Sequence, residues 1–308
     1  SESIFDYTNL SGSTAVTKGE LMTGNGFIEM LCADLQGTQE ENIIKINNYV
    51  NSGKDRLVFS VYSSSVMSDL SLRYTRTYDF STVYEDGEEN KSIQPKFYYT
   101  GDFNGDGKME IMAMSVHEPF GDTSKPSICY IFDLENNNIL YQSHILDYNL
   151  EFVGDEQTDA QEAANNSDKL LVLDADGDGK TDICHIDASG IHVYTFTVSG
   201  STMSIKTLFT SAALKKNSLR YKNVLLGEMN GDGLADLVIT PSCYNSGDNI
   251  WTVYNSTGRG ISSASTFNAA YNSTFSSIGF MLQDVNMDGL SDIIRYQSGS
   301  AHIHIVRN

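Results

Sequence analysis

Four short stretches of this chain gather acidic side chains on alternate residues. Asp174, Asp176, Asp178 and Asp182 take positions 1, 3, 5 and 9 of a loop entered by Leu171-Val172-Leu173 and left by Ile183. Asp102, Asn104, Asp106 and Glu110 repeat the spacing, as do Glu228, Asn230, Asp232 and Asp236, and again Asp284, Asn286, Asp288 and Asp292. Carboxylates this close repel one another, so an ordered loop that carries them needs a cation. Oxygen donors on alternate residues of a tight loop are the hard-cation pattern, which suits calcium. Position 6 is Gly in every copy (Gly107, Gly179, Gly233, Gly289), where a sharp bend often needs positive φ. The competing reading is an Asx-rich surface turn without an ion. It leaves the acid at position 9 unexplained, and the expectation is four calcium ions, one per loop.

These are not helix-loop-helix calcium sites, which require a bidentate Glu at position 12. Here position 12 is Ala113, His185, Ile239 and Arg295. The flanks read as strands, for example Val224-Leu225-Leu226 before a loop and Leu237-Val238-Ile239 after it. Each loop therefore joins two strands of a hairpin. A fifth, altered copy starts at Asp34, where Ala33-Asp34-Leu35-Gln36-Gly37-Thr38 aligns with Gly101–Asp106 and Asn42-Ile43-Ile44 with Glu110-Ile111-Met112. Thr38 replaces the third acid and Gln39 the glycine, so this copy is expected to keep the hairpin and lose the ion.

The elements that position these loops follow from the period. Five repeats run near 27–78, 96–145, 170–209, 222–267 and 278–308, and the first four each read as four strands. In the fourth they are Lys222–Gly227, Leu237–Thr240, Ile250–Asn255 and Ile261–Phe267. The fifth supplies only Ile278–Gln283, Ile293–Tyr296 and His302–Val306. The expected fold is all-β, a β-propeller of five four-stranded blades making one domain over 1–308. A solenoid is the alternative, though its repeats are usually shorter. The missing strand has a candidate in Ile4-Phe5-Asp6-Tyr7, which would close the last blade and remove an open edge. The other reading of Ser1–Gly26 is a linker. Two insertions, His117–Ser127 and Asp147–Lys169, read as solvated loops or as partner-contacting ones.

The chain has 308 residues, with 40 acids against 20 bases and a net charge of −20. Phosphate contacts need clustered Lys and Arg, so a nucleic-acid partner is not expected. The loops themselves hold three, four, three and three carboxylates and explain much of the acidity. No apolar run is long enough to span a membrane. The chain begins at Ser1 without Met, which reads as a mature or excised form. Cys32, Cys129, Cys184 and Cys243 are widely spaced; buried thiols are the simplest reading, and disulfides stay open.

The four loops and their strand flanks resemble the FG-GAP/VCBS repeat family, which includes the integrin α-subunit propeller and many secreted bacterial propellers. The resemblance covers about Phe27 to Asn308. It implies calcium held by side chains at positions 1, 3, 5 and 9 and by the position-7 main-chain carbonyl, here that of Lys108, Lys180, Leu234 and Leu290. Glu228 at position 1 and Glu110 at position 9 depart from the usual Asp, and Met287 replaces the usual Gly of position 4. The resemblance also implies a secreted or cell-surface location. Leu226–Val238 followed by Trp251–Gly258 is similar to propellers attached to bacterial RHS and Tc-toxin shell proteins, which implies one domain of a larger protein.

No nucleophile motif such as G-x-S-x-G and no phosphate-binding glycine loop is present. His302 and His304 share a strand face, as a transition-metal pair or as an ordinary strand pair. The expectation is a non-catalytic, calcium-stabilised module that binds a protein partner. A lectin-like propeller is the alternative and a polysaccharide-active enzyme a further one. A lectin needs aromatic platforms repeated in each blade, and the single tryptophan, Trp251, reads as core.

Overall fold

A computed structural model describes residues 26–51, 54–64, 70–80, 95–115, 127–146, 168–219, 222–241, 249–268, 278–297 and 303–306. These form five separate antiparallel sheets. The first pairs β1 (Phe27–Ala33), β2 (Asn42–Asn51), β3 (Lys54–Ser64) and β4 (Leu70–Phe80) in chain order. The second does the same with β5 (Pro95–Gly101), β6 (Glu110–Ser115), β7 (Ser127–Asp133) and β8 (Asn138–Leu146). The third holds β9 (Lys169–Leu173), β10 (Asp182–Ile186), β11 (Ile191–Ser199) and β12 (Thr202–Ser211). The fourth holds β13 (Val224–Gly227), β14 (Asp236–Ile239), β15 (Ile250–Tyr254) and β16 (Ser265–Asn268). The fifth has three strands, β17 (Ile278–Gln283), β18 (Asp292–Gln297) and β19 (Ile303–Val306). In every sheet the acidic loop, or its altered copy, links the first strand to the second.

One strand starts four residues later than expected. The fourth strand of the fourth repeat starts at Ser265 rather than Ile261. Thr257–Gly260 folds instead into a tight turn, with Thr257 N–H donating to the Gly260 carbonyl at 3.0 Å and Gly258 at φ 71°. That turn leaves Ile261 in a single bridge with Ser256. Among the described residues one 3-10 turn, Lys216–Leu219, is the only helical element apart from these strands. No helix among them is long and apolar enough to cross a membrane. The Ile4–Tyr7 segment, His302 and Cys243 lie outside the described residues.

The chain divides into two compact units, residues 1–102 with 106–147, and residues 103–105 with 148–308. In the first unit, Ile44, Ile46, Phe59 and Val61 of one sheet pack with Ile111, Ala113, Tyr130 and Phe132 of the next. The Phe59 and Phe132 rings lie 5.2 Å apart. The second unit shows how one sheet serves two neighbours. Successive strand residues point to opposite faces. Leu237 and Ile239 of β14 join a cluster with Cys184, Ile186 and Val193 of the third sheet. Val238, between them, joins Trp251, Val253 and Ile293 of the fourth and fifth. All four residues of β14 are buried as a result.

Trp251 is fully buried, stacked 6.0 Å from Phe267 and edge-on 5.0 Å from Phe280. Cys129 and Cys184 are buried free thiols whose burial pushes both up to about 12, whereas Cys32 is a free thiol exposed at the surface. We expect Trp251→Ala to lower unfolding stability by roughly 3–5 kcal/mol, the cost of a large aromatic cavity. Urea denaturation would show it; a loss under 1 kcal/mol would contradict this packing.

Candidate metal centres

The loops share one internal wiring. The position-1 carboxylate folds over the turn and accepts its N–H groups. Asp174 accepts from Gly177 at 2.8 Å and Gly179 at 2.9 Å, and Asp284 from Met287 at 2.6 Å and Gly289 at 2.9 Å. The longer Glu228 does the same for Asn230, Gly231 and Gly233, so its extra methylene is accommodated. The position-5 carboxylate accepts the position-7 N–H, as in Asp106 with Lys108 at 3.0 Å and Asp232 with Leu234 at 2.9 Å. Gly107, Gly179, Gly233 and Gly289 hold φ between 82° and 89°, with nothing within 4 Å of where a Cβ would stand. Their need for glycine is conformational alone.

Position 9 is where the loop meets the sheet. Glu110 is 2% exposed, and Asp182, Asp236 and Asp292 are 0% exposed. Each Asp accepts the N–H of position 2: Ala175 to Asp182 at 3.0 Å, Met229 to Asp236 at 2.9 Å and Val285 to Asp292 at 3.1 Å. The altered copy has Asn42 at this position, equally hidden at 3% exposure but uncharged. Thus the copy that lacks the other acids also lacks the buried charge.

Two loops bring three carboxylates to one point. Oxygens of Asp102, Asp106 and Glu110 lie within 4.8 Å of one another, as do those of Asp174, Asp176 and Asp182. In the second cluster Asp182 Oδ1 is buried with no hydrogen-bond partner. Burial pushes the Asp182 carboxyl up to about 6, with Asp176 and Asp178 adding like charge. Even with the Thr195 hydroxyl and the Ala175 N–H beside it, a buried carboxylate facing two further acids fits a cation, because its charge is costly to leave uncompensated. Asp178 stands apart from this cluster and pairs with Lys180 at 2.6 Å. In the Glu228 and Asp284 loops, position 3 is an Asn whose Nδ2 donates to the position-5 carboxylate, Asn230 to Asp232 at 3.0 Å and Asn286 to Asp288 at 2.8 Å. The donor set in all four loops is oxygen-rich, as a hard cation requires.

The altered copy keeps the shape without the charges. Asp34 accepts the N–H groups of Gln36, Thr38 and Gln39 at 3.2, 3.1 and 2.6 Å. Gln39 holds φ 65°, taking the glycine conformation at position 6.

Position 4 carries a relation that single-loop reasoning misses. A Cβ on Gly105 would stand 2.8 Å from the Lys180 side chain, one on Gly177 3.0 Å from Leu234, and one on Gly231 3.7 Å from Leu290. Each partner is position 7 of the following loop. The recurrence of Gly at position 4 in successive repeats was the available signal.

A second polar group resembles a catalytic relay only in composition. Ser189 Oγ and Asp187 Oδ1 both face the same ring nitrogen of His192, Nε2, at 2.8 and 3.2 Å. A relay needs the acid on the other nitrogen. Deeper in the third sheet, Asp168 joins His185 Nε2 at 2.8 Å and Lys216 Nζ at 3.0 Å, all three buried.

No protein-family model matches the chain, and no curated protein matches it. Among solved structures, an Agrocybe aegerita lectin described as recognising non-reducing terminal N-acetylglucosamine aligns over 94% of this chain and 82% of its own, at 15% identity and a TM-score of 0.49. A Bacillus licheniformis rhamnogalacturonan lyase aligns over 92% of this chain and 57% of its own, at 14% identity and a TM-score of 0.45. TcdB2-TccC3 aligns over 92% of this chain but only 14% of its own, at 13% identity and a TM-score of 0.37.

Asp187 supplies a pH test of the hairpin. Partial burial would raise its pKa, but the Ser189 hydroxyl and the Gly190 and Ser189 N–H groups, with His192, hold it at about 2. A depressed carboxyl stabilises the fold above its unfolded pKa of about 3.9, and this support fades as pH falls toward the folded value. We expect the Asp187 carboxyl to titrate with a midpoint near 2 by NMR; a midpoint near 4 would contradict the hydrogen-bond set.

Proposed function

We propose that this chain is a calcium-stabilised, non-catalytic propeller of the FG-GAP/VCBS type that acts as a binding module. The observation that carries the reading is the match between charge and burial at position 9: a hidden acid in each of the four acidic loops and a hidden neutral Asn42 in the copy without them. A buried carboxylate needs a compensating charge. Calcium supplies it through flexible oxygen coordination that accepts carboxylates, amides and carbonyls together. The Asp182 site would use Asp174, Asp176, Asp178 and the Lys180 carbonyl beside it; the equivalent residues of the other loops would serve theirs. Joining Asp178 to the site requires its release from Lys180.

The five sheets are blades in this reading. Each acidic loop ties the first two strands of its blade, so the ion stabilises rather than switches. Ligand sets made of protein oxygens support a structural role over metal-assisted hydrolysis, which needs an open position and a base. Binding of a protein partner, a secreted or cell-surface setting and membership of a larger protein of the RHS or Tc-toxin type extend the same reading from sequence order. A glycan-binding role is less favoured, because Trp251 lies in the core and offers no platform.

The test is thermal. A ligand bound only by the folded state adds RT ln(1 + [L]/Kd), about 2.7 kcal/mol per site at a hundredfold excess. We expect a chelator to lower the melting temperature and calcium, but not equimolar magnesium, to restore it. Asp176→Asn should shrink the calcium-dependent rise, while Thr38→Ala should leave it intact. Equal melting in calcium and chelator would overturn the reading.

A further inference from the structure

We propose that the Asp34 loop, which lacks the acids to hold an ion, is retained as a positioning element for the ion site of the Asp102 loop. The inference rests on the calcium reading of the Asp102 loop. Met109 N–H donates to the Asp34 carbonyl at 2.9 Å. That N–H belongs to the same peptide unit as the Lys108 carbonyl, the position-7 ligand the loop pattern assigns. A peptide unit is planar, so fixing its N–H fixes the line of its carbonyl. The altered loop thus sets the aim of a ligand carbonyl in the Asp102 loop.

The two loops touch as closely as backbone permits. Gly37 sits at φ 69°, and a Cβ there would stand 2.8 Å from the Gly107 carbonyl oxygen and 3.4 Å from Lys108 Cγ. A side chain at 37 would push the two loops apart at the point where the shared peptide is held. The altered loop also keeps its own shape at a cost. Gln39 holds φ 65° where glycine would do so freely. Three N–H groups on the Asp34 carboxylate hold the turn closed without an ion.

The same device appears independently in the second unit. Ser291 N–H, on the peptide of the Leu290 carbonyl, donates to the Glu228 carbonyl at 2.7 Å, and Glu228 N–H returns a bond to Ser291 Oγ at 3.0 Å. Gly231 seats Leu290 there as Gly37 seats Lys108. In these two pairs, position 1 of one loop steadies the peptide that carries position 7 of the next. Met287, at position 4 of the last loop, is 92% exposed and seats no such side chain among the described residues. It is also the one position 4 that is not Gly.

The experiment titrates calcium into the metal-stripped full chain by calorimetry, with the Asp102-loop site identified as the one lost in Asp106→Ala. Gly37→Ala should weaken that site roughly tenfold or more, the usual effect of an outer-shell partner, and leave the other sites unchanged. Asp34→Asn keeps a side-chain oxygen acceptor and should retain the affinity, while Asp34→Ala should not. Gln39→Gly relieves the φ strain without touching the contact and should also retain it. Amide exchange gives a second readout that does not depend on variants: Met109 N–H should be protected in the calcium-free wild type. Unchanged affinity in a folded Gly37→Ala, or an unprotected Met109 amide, overturns this inference alone. Absence of calcium from every loop of the wild type overturns the calcium reading and this inference with it.

Discussion

Taking a carboxylate out of water is costly unless hydrogen bonds and an opposite charge replace its hydration. This chain does so at the same place in repeat after repeat. Asp182, Asp236 and Asp292 are the first residues of β10, β14 and β18, pinned beneath the loop by the N–H of position 2. The pin fixes where the loop ends and the strand begins, and with it the register of the hairpin. Asp182 pairs with Leu173 across the loop and Asp292 with Gln283. Everything else in the loop follows from that anchor: the position-1 carboxylate caps the turn, position 6 bends it, and the remaining oxygens gather above the buried acid. The charge left over is what a divalent ion would answer.

Packing and site are linked through the same strands. β14 carries Asp236 at its start and then Leu237, Val238 and Ile239, which enter two different cores on alternate faces. A loop that lost its shape would let this strand slip, and a one-residue slip would exchange its two faces. Stabilising the loop therefore stabilises two sheet contacts at once. This is why a handful of surface carboxylates can matter to a fold whose core is aliphatic and aromatic.

Much of this was legible in the residues. The strand-loop-strand unit follows from apolar runs broken at fixed spacing, and most expected strands lie within two residues of those observed. The altered Asp34 copy was legible because Asp34, Gly37 and the Ile43-Ile44 strand keep their spacing. What escaped was relational. Glycine at position 4 reads as a bend in one loop; only with the neighbouring loop in place does it become a seat for Lys180, Leu234 or Leu290. The delayed start of β16 escaped because Ile261 looks like a strand residue, while the turn at Thr257–Gly260 is set by Gly258. The pairing of Asp178 with Lys180 was hidden because spacing fixes which residues share a loop, not which way a side chain turns.

In the proposed reading the buried acids mark calcium sites and the buried Asn42 marks a loop without an ion. The most direct measurement is the calcium content of the purified chain after exhaustive dialysis in trace calcium, by elemental analysis, alongside Asn42→Asp. Close to four calcium ions per chain are expected, one for each acidic loop, with no gain from Asn42→Asp alone because Thr38 still lacks a carboxylate. A ratio below one in a folded chain would contradict this reading.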